Sequence, residues 1–232
     1  MADEGADGAA DAGAGVSADK DWDARYRAMA SPFGDGPSAW AVMALAHPGV
    51  AATAPAQARR TALSLADGDG RNGTWLARQG LAMTALDLSA EATARAVARD
   101  RAAGVTVTRL VADLLEWRPE RRWDLVFLLF LQGPTALREA GLRAAAAAVA
   151  PGGWLVLEGF GGAPDEGPDA LGPSRAVHRW QAAEIGGWAA PLVPREVVTG
   201  RLLLEDGPRH AGEGTVLRAL LHRPPAPAAN GV

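Results

Sequence analysis

Apolar positions along the chain follow two rhythms. Short β-rich runs stand at Thr61–Ala66, Ala82–Leu86, Val105–Val111, Trp123–Phe130 and Trp154–Leu157, and longer stretches of helical character separate them. The run at Trp123–Phe130 is nearly continuously apolar, as a central strand covered on both faces requires. A helix is predicted from Arg71 to Gln79, stopped by Gly80, which frees the chain to turn out of the helix. Another runs from the cap Ser89 to about Ala103 with Glu91 in its first turn, where a carboxylate meets unpaired amides. A third runs from Pro134 to Val149, rich in alanine and stopped at Pro151-Gly152-Gly153. The stretch from Pro173 to Trp188 reads as helical, capped by Ser174, with His178 on it.

Five alternating strand and helix units imply a parallel, doubly wound sheet. Two final runs, Glu196–Leu204 and Gly214–His222, are joined by the polar and glycine-rich Glu205–Glu213. That link is too short for a helical crossover, so the pair should form an antiparallel hairpin at the sheet edge. The expected fold is an α/β, Rossmann-like, seven-stranded sheet, mostly parallel, in one domain over residues 20–223. Residues 1–19 are mostly Ala, Gly and Asp and read as a disordered arm, and 224–232, with Pro224, Pro225 and Pro227, as a disordered tail.

Composition narrows the chemistry. With 232 residues and 48% hydrophobic content the chain can bury one sizeable core. A formal net charge of -4 argues against a nucleic-acid partner, which needs a basic face. The absence of cysteine removes disulfides, thiolate metal sites and a cysteine nucleophile, and no metal site is expected. The N-terminal stretch lacks the basic and apolar regions of a secretory signal, and the apolar run Leu125–Leu131 is far too short to cross a bilayer. A cytoplasmic protein without a membrane partner is expected; the oligomeric state is not legible.

The chemistry-bearing motif is Gly68-Asp69-Gly70-Arg71-Asn72-Gly73, a G-x-G-x-x-G between a strand and a helix, with Asp87 at the end of the next strand. Glycines admit a ligand close to backbone, and a carboxylate accepts from ribose hydroxyls, so any adenosine-containing cofactor fits the pattern. Each feature alone is often only a tight turn or a helix cap; their order after successive parallel strands favours a site. Asp113-Leu114 past the third strand adds an acceptor for an adenine amino group. A hydride-transferring enzyme of the short-chain type needs Tyr followed four residues later by Lys. Here the sole tyrosine, Tyr26, follows the sole lysine, Lys20. A nicotinamide oxidoreductase is therefore the remote alternative, and a non-catalytic cofactor-binding module the nearer one.

These residues carry a resemblance. Trp22-Asp23-Ala24-Arg25-Tyr26, Phe33-Gly34-Asp35-Gly36-Pro37, Gly68-Asp69-Gly70-Arg71-Asn72, Ala85-Leu86-Asp87-Leu88-Ser89, Ala112-Asp113-Leu114, Trp123-Asp124-Leu125-Val126 and Ala150-Pro151-Gly152-Gly153 are similar to bacterial class I methyltransferases of the tellurite-resistance and thiopurine type. The resemblance implies S-adenosyl-L-methionine as cofactor and a small-molecule substrate. It places Gly68 and Gly70 backbone, with Ala66 and Asn72, at the methionine end, and Asp69 beside its ammonium. Asp87 falls on the ribose, Leu88 beside the adenine, and Asp113 and Leu114 on the adenine. Leu129 and Phe130 wall the sulfonium, and Trp22 and Tyr26 fold over it; at helical spacing the latter pair reads equally as a core stripe.

Relatives carry an acid where this chain has Ser64, a glycine at Ala66 and often a His at Gln132, so these three positions depart from the pattern. Substrate-facing candidates are Gln132 and His178; His210 and Glu158 complete the possible acid–base groups, with no catalytic residue assigned. The Gly- and Pro-rich Gly159–Trp188 segment is expected to cover the substrate as a mobile lid.

Overall fold

The structure, a computed structural model, describes residues 21–52, 60–167 and 169–227. The expected arm and the last five residues of the expected tail lie outside them. Helices α1 (Trp22–Ala28), α2 (Ala39–Ala46) and α3 (Pro48–Ala51) precede the alternating unit. There follow β1 (Thr61–Leu65), α4 (Arg71–Arg78), β2 (Ala82–Asp87), α5 (Ala90–Ala102), β3 (Val107–Val111), β4 (Trp123–Leu129), α6 (Thr135–Ala148) and β5 (Val149–Phe160). A short helix α7 (Ala182–Trp188) leads to the hairpin of β6 (Val193–Glu205) and β7 (Ala211–His222).

The seven strands lie in the order β3-β2-β1-β4-β5-β7-β6. β1 pairs in parallel with β2 and β4, and the antiparallel β7 enters between β5 and β6. The chain reverses direction across the sheet between β1 and β4, and the crevice above such a switch point is where ligands bind in doubly wound folds. Alternation along the central strands feeds two cores. Leu63, Leu65, Val126 and Leu128 pack under α6, while Ala62, Leu125, Phe127 and Leu129 pack against α2 and α4. Among the described residues no helix is long and apolar enough to cross a membrane.

Several boundaries differ from the sequence reading. The alanine-rich helix ends at Ala148, and Pro151-Gly152-Gly153 does not stop it but lies inside β5, where Trp123 pairs with Val149 and a bulge follows. Val105 belongs to the turn after α5, its amide donating to Asp100 O at 3.0 Å, so β3 begins at Val107. The Pro173–Trp188 stretch is not one helix. It holds a single 3-10 turn, Ala176–His178, with no side-chain cap from Ser174, then an extended Arg179-Trp180-Gln181 and α7.

Nor does that stretch look like a loose lid. Trp180 is fully buried and donates from Nε1 to Leu131 O at 2.9 Å. The buried Arg179 reaches Asp165 at 2.9 Å, and the buried Arg138 of α6 pairs with Glu184 at 2.5 Å. Tryptophan and arginine are the residues that can span such gaps while keeping a polar end satisfied.

Candidate functional site

The glycine turn runs from the end of β1 into α4. Three of its residues have left-handed backbone, Ala66 at φ 53, Gly68 at φ 60 and Gly70 at φ 85. Gly68 is constrained a second time, because a Cβ there would meet Tyr26 Oη and force the phenol to move. At Gly70 a Cβ would meet Ala96 Cβ of α5 at 2.7 Å, so this glycine lets helix and turn pack closely. Ala66 supports no such reason: its methyl group sits in a conformation that costs an L-residue about 1–2 kcal/mol. Ala66→Gly is expected to raise the melting temperature by roughly 1–4 °C, the relieved strain being partly offset by backbone entropy. Scanning calorimetry checks this; a fall on substitution would contradict it.

Asp87 ends β2 facing the turn. Its Oδ2 accepts from Gly68 N at 2.8 Å and its Oδ1 from Ser89 N at 2.9 Å. Burial pushes its carboxyl up to about 6, and the two amide bonds only partly oppose that. A carboxylate offers about four lone-pair sites, so two amides leave acceptor capacity for a ligand diol. Leu88 beside it is exposed. Past β3, Asp113 Oδ1 accepts from Leu115 N at 2.9 Å and its carbonyl from Trp117 N at 2.7 Å, which closes the following turn.

The N-terminal segment covers this surface. The Asp21 carboxylate caps α1, accepting from Ala24 N at 2.8 Å. Asp23 accepts from Ser89 Oγ and from Glu91 N at 3.1 Å, docking α1 on the start of α5; the Ser89 bond holds its carboxyl below the usual range. Tyr26 is thereby buried over Gly68, and burial together with Asp87, Asp69 and Asp67 pushes its phenol far up. Trp22, one turn away, remains half-buried with its ring 6.3 Å from that of Tyr26. Tyr26 sits on the turn, and both rings border a shallow surface cleft with Arg25, Pro32, Phe33 and Arg209.

At the carboxyl end of β4, Phe130 has φ 55, a conformation that a bulky residue adopts only when its surroundings hold it. Its amide donates to Glu158 O at 2.6 Å, and its ring packs on His210 at 4.3 Å and Phe160 at 5.5 Å. Phe33 closes this basket, 4.8 Å from His210. Burial lowers His210 to about 3, with Arg71 acting in the same direction, so the imidazole is neutral at physiological pH.

Other expected site residues have partners of their own. Asp69 pairs with Arg99 at 3.2 Å, and burial raises its carboxyl against that pairing. Asn72 Oδ1 accepts from Ser38 N at 2.8 Å, tying α2 to the turn. Leu114 and Leu129 lie in the two cores. With its amide turned so that both ends are satisfied, Gln132 donates to His178 O at 3.0 Å and accepts from Phe160 N at 2.6 Å, while the half-buried His178 sits on the 3-10 turn. Glu158 accepts from Ser38 Oγ and from Arg218 Nε at 2.7 Å, and burial raises its carboxyl.

Sequence reasoning missed Asp67. Its carboxylate lies beneath the turn, where Ser64, Gly73 and Arg109 donate to it. Its position between Ala66 and Gly68 hid it, because a turn aspartate reads as an ordinary turn former.

Comparison with known proteins bears on this arrangement. Residues 62–153, from β1 into β5, match the model of a methyltransferase domain family. No curated protein matches the sequence. One similar solved structure comes from work on conversion of a disulfide bond into a thioacetal group during echinomycin biosynthesis. It is 20% identical, with TM-score 0.65, covering 90% of this chain and 94% of that one. TehB from Haemophilus influenzae is 15% identical with TM-score 0.59, covering 76% of this chain and 62% of its own. Magnesium protoporphyrin IX methyltransferase from Synechocystis PCC 6803, with bound SAM, is 16% identical with TM-score 0.54, covering 78% and 77%. Residues 62–153 thus match a methyltransferase domain, and the chain shares the fold of these methyltransferases, some of which hold SAM or SAH.

Proposed function

We propose that the chain methylates a small molecule through a soft nucleophile, a thiol or another reduced chalcogen, as in the tellurite-resistance and thiopurine group. The observation that carries this reading is that, among the described residues, His210 and Glu158 beside the acceptor wall are buried and engaged by their neighbours. The imidazole of His210 is held neutral at about 3 among three phenylalanine rings and is too weak a base for a hydroxyl or ammonium acceptor. Glu158 is committed to Ser38 and Arg218, and Gln132 carries no titratable proton. A thiolate needs no base, because it forms in water near its own pKa of about 8.5. The disulfide chemistry named for one structural neighbour agrees with an acceptor sulfur.

When bound, the cofactor supplies an electrophilic methyl group, displaced in line. The protein's part is to position two reactants and exclude water. Asp87 would take the ribose hydroxyls, Leu88 and Asp113 the adenine, and the backbone at Gly68 and Gly70 the methionine end. Tyr26 covers the turn, and Phe130 with Phe33 and Phe160 forms an apolar wall toward the acceptor. Asp69, Asn72, Leu114 and Leu129 would act through the loop and core they brace.

A panel of aliphatic and aromatic thiols, a selenol, phenols and amines, supplied with methyl-labelled cofactor, tests the reading. Turnover is expected with thiols and selenols, at rates that rise with pH through the acceptor's own pKa. Turnover confined to phenols or amines would overturn it.

A further inference from the structure

The cofactor turn rests on a buried ion network that the methyl-transfer reading does not use. The Asp67 side chain is 1% exposed. Its Oδ1 accepts from Ser64 Oγ at 2.6 Å and from Gly73 N at 3.1 Å, and its Oδ2 from Arg109 Nη1 at 2.5 Å. Arg109, from β3, also donates to Asp100 Oδ2 at 2.9 Å, to Asp100 Oδ1 at 3.0 Å and to Thr74 Oγ1 at 3.2 Å. Thr74 Oγ1 donates to Asp100 Oδ1 at 2.6 Å. One carboxylate therefore joins the end of β1, the first turn of α4 and β3.

Two carboxylates and one guanidinium leave this network with a net negative charge out of water. Apolar residues of similar volume would commonly stabilise a fold as well or better. A reason beyond stability is visible in the backbone. Ala66, Gly68 and Gly70 are all left-handed, and Asp67 is the residue between them that is fixed on every side. Its N–H donates to Leu86 O at 3.0 Å, its C=O accepts from Gly70 N at 3.2 Å, and its carboxylate takes the three donors above. Backbone in sparsely populated regions persists only where its surroundings over-determine it.

We propose that Asp67 is a positioning residue for cofactor binding, holding the 66–70 backbone in the shape that receives the cofactor. Arg109 is the counter-ion of Asp67. The inference rests on the cofactor reading.

The test uses full-length Asp67→Asn, Asp67→Ala and the relocation variant Ser64→Asp/Asp67→Ala, with S-adenosylhomocysteine titrated by calorimetry at a temperature where each is folded. Asp67→Ala is expected to weaken binding about tenfold or more, with Asp67→Asn intermediate because it keeps an acceptor for Ser64 and Gly73 but loses the ion pair. Relocation is expected to restore most of the affinity, since Ser64 Oγ lies within 2.6 Å of the oxygen it would replace. A purely structural role would move the melting temperature and leave the affinity of the folded protein unchanged.

Wild-type affinity in folded Asp67→Ala overturns the inference, as does a relocation variant that folds but binds no better than Asp67→Ala. If Asp67→Ala does not fold, Asp67→Asn decides, and affinity within about twofold of wild type overturns the inference. A wild-type chain that binds neither the cofactor nor its demethylated product takes down the cofactor reading and the inference together.

Discussion

Asp87→Ala is expected to weaken binding of S-adenosylhomocysteine roughly 30- to 100-fold, the factor that corresponds to about 2–3 kcal/mol from two hydrogen bonds to a carboxylate. The free protein should remain folded, because two opposing terms change together. The substitution removes acceptors from Gly68 N and Ser89 N, and it also removes a carboxyl that burial has pushed up to about 6. The pH dependence follows from that direction. The folded carboxyl binds its proton more tightly than the unfolded one, whose ordinary value is 3.8. Its contribution to stability is therefore full below about 3.8 and is lost as pH rises through about 6. Ribose hydroxyls donate more strongly to the ionised form, which accepts on both oxygens, so wild-type affinity should fall as pH drops below about 6, and the Asp87→Ala variant should lose this dependence. Calorimetric titrations between pH 5 and 8 read both effects.

Arg109→Leu should give the largest loss of stability. The side chain is 6% exposed and is the cation in contact with both Asp67 and Asp100. Leucine keeps apolar volume but leaves two buried carboxylates facing each other, a change that typically costs about 3–5 kcal/mol. For a domain of this size that corresponds to a melting temperature roughly 6–20 °C lower. Arg109→Lys should lose less, retaining the charge but not the fork that reaches Asp67, Asp100 and Thr74 at once. Thermal melts of both variants check the order. A leucine variant as stable as wild type would show that the network is not held as its geometry indicates.

Much of the fold was legible because hydrophobic period and turn chemistry agreed. The continuous run at Trp123–Leu129 is the buried central strand it resembles, and the link Glu205–Glu213 is too short for anything but a hairpin. Where the reading went astray, tertiary contacts outweighed local signals. Pro151-Gly152-Gly153 looks like a helix stop, yet pairing with β4 and β7 draws the chain into a strand from Val149. Glycines and prolines after Gly159 suggested mobility, but Arg138, Arg179 and Trp180 stitch that segment down through contacts of long sequence separation.

The candidate site shows the same division. Gly68, Gly70 and Asp87 were readable from spacing, because the turn and the strand end that bring them together are local. The partners of Asp69, Asn72 and Glu158 were not, since Arg99, Ser38 and Arg218 arrive from other elements. Ser64, taken on its own, stood only as a departure from the acid that relatives carry. Only the folded chain shows that Asp67 supplies a carboxylate within reach of it.

In the proposed reaction the turn between β1 and α4, with Asp87, holds S-adenosyl-L-methionine. Isothermal titration of the full chain with S-adenosyl-L-methionine and with S-adenosylhomocysteine, beside Asp87→Ala, tests it most directly. One site per chain with micromolar affinity, largely lost in the variant, is expected. Absence of heat at high protein concentration, or equal binding by wild type and Asp87→Ala, would contradict it.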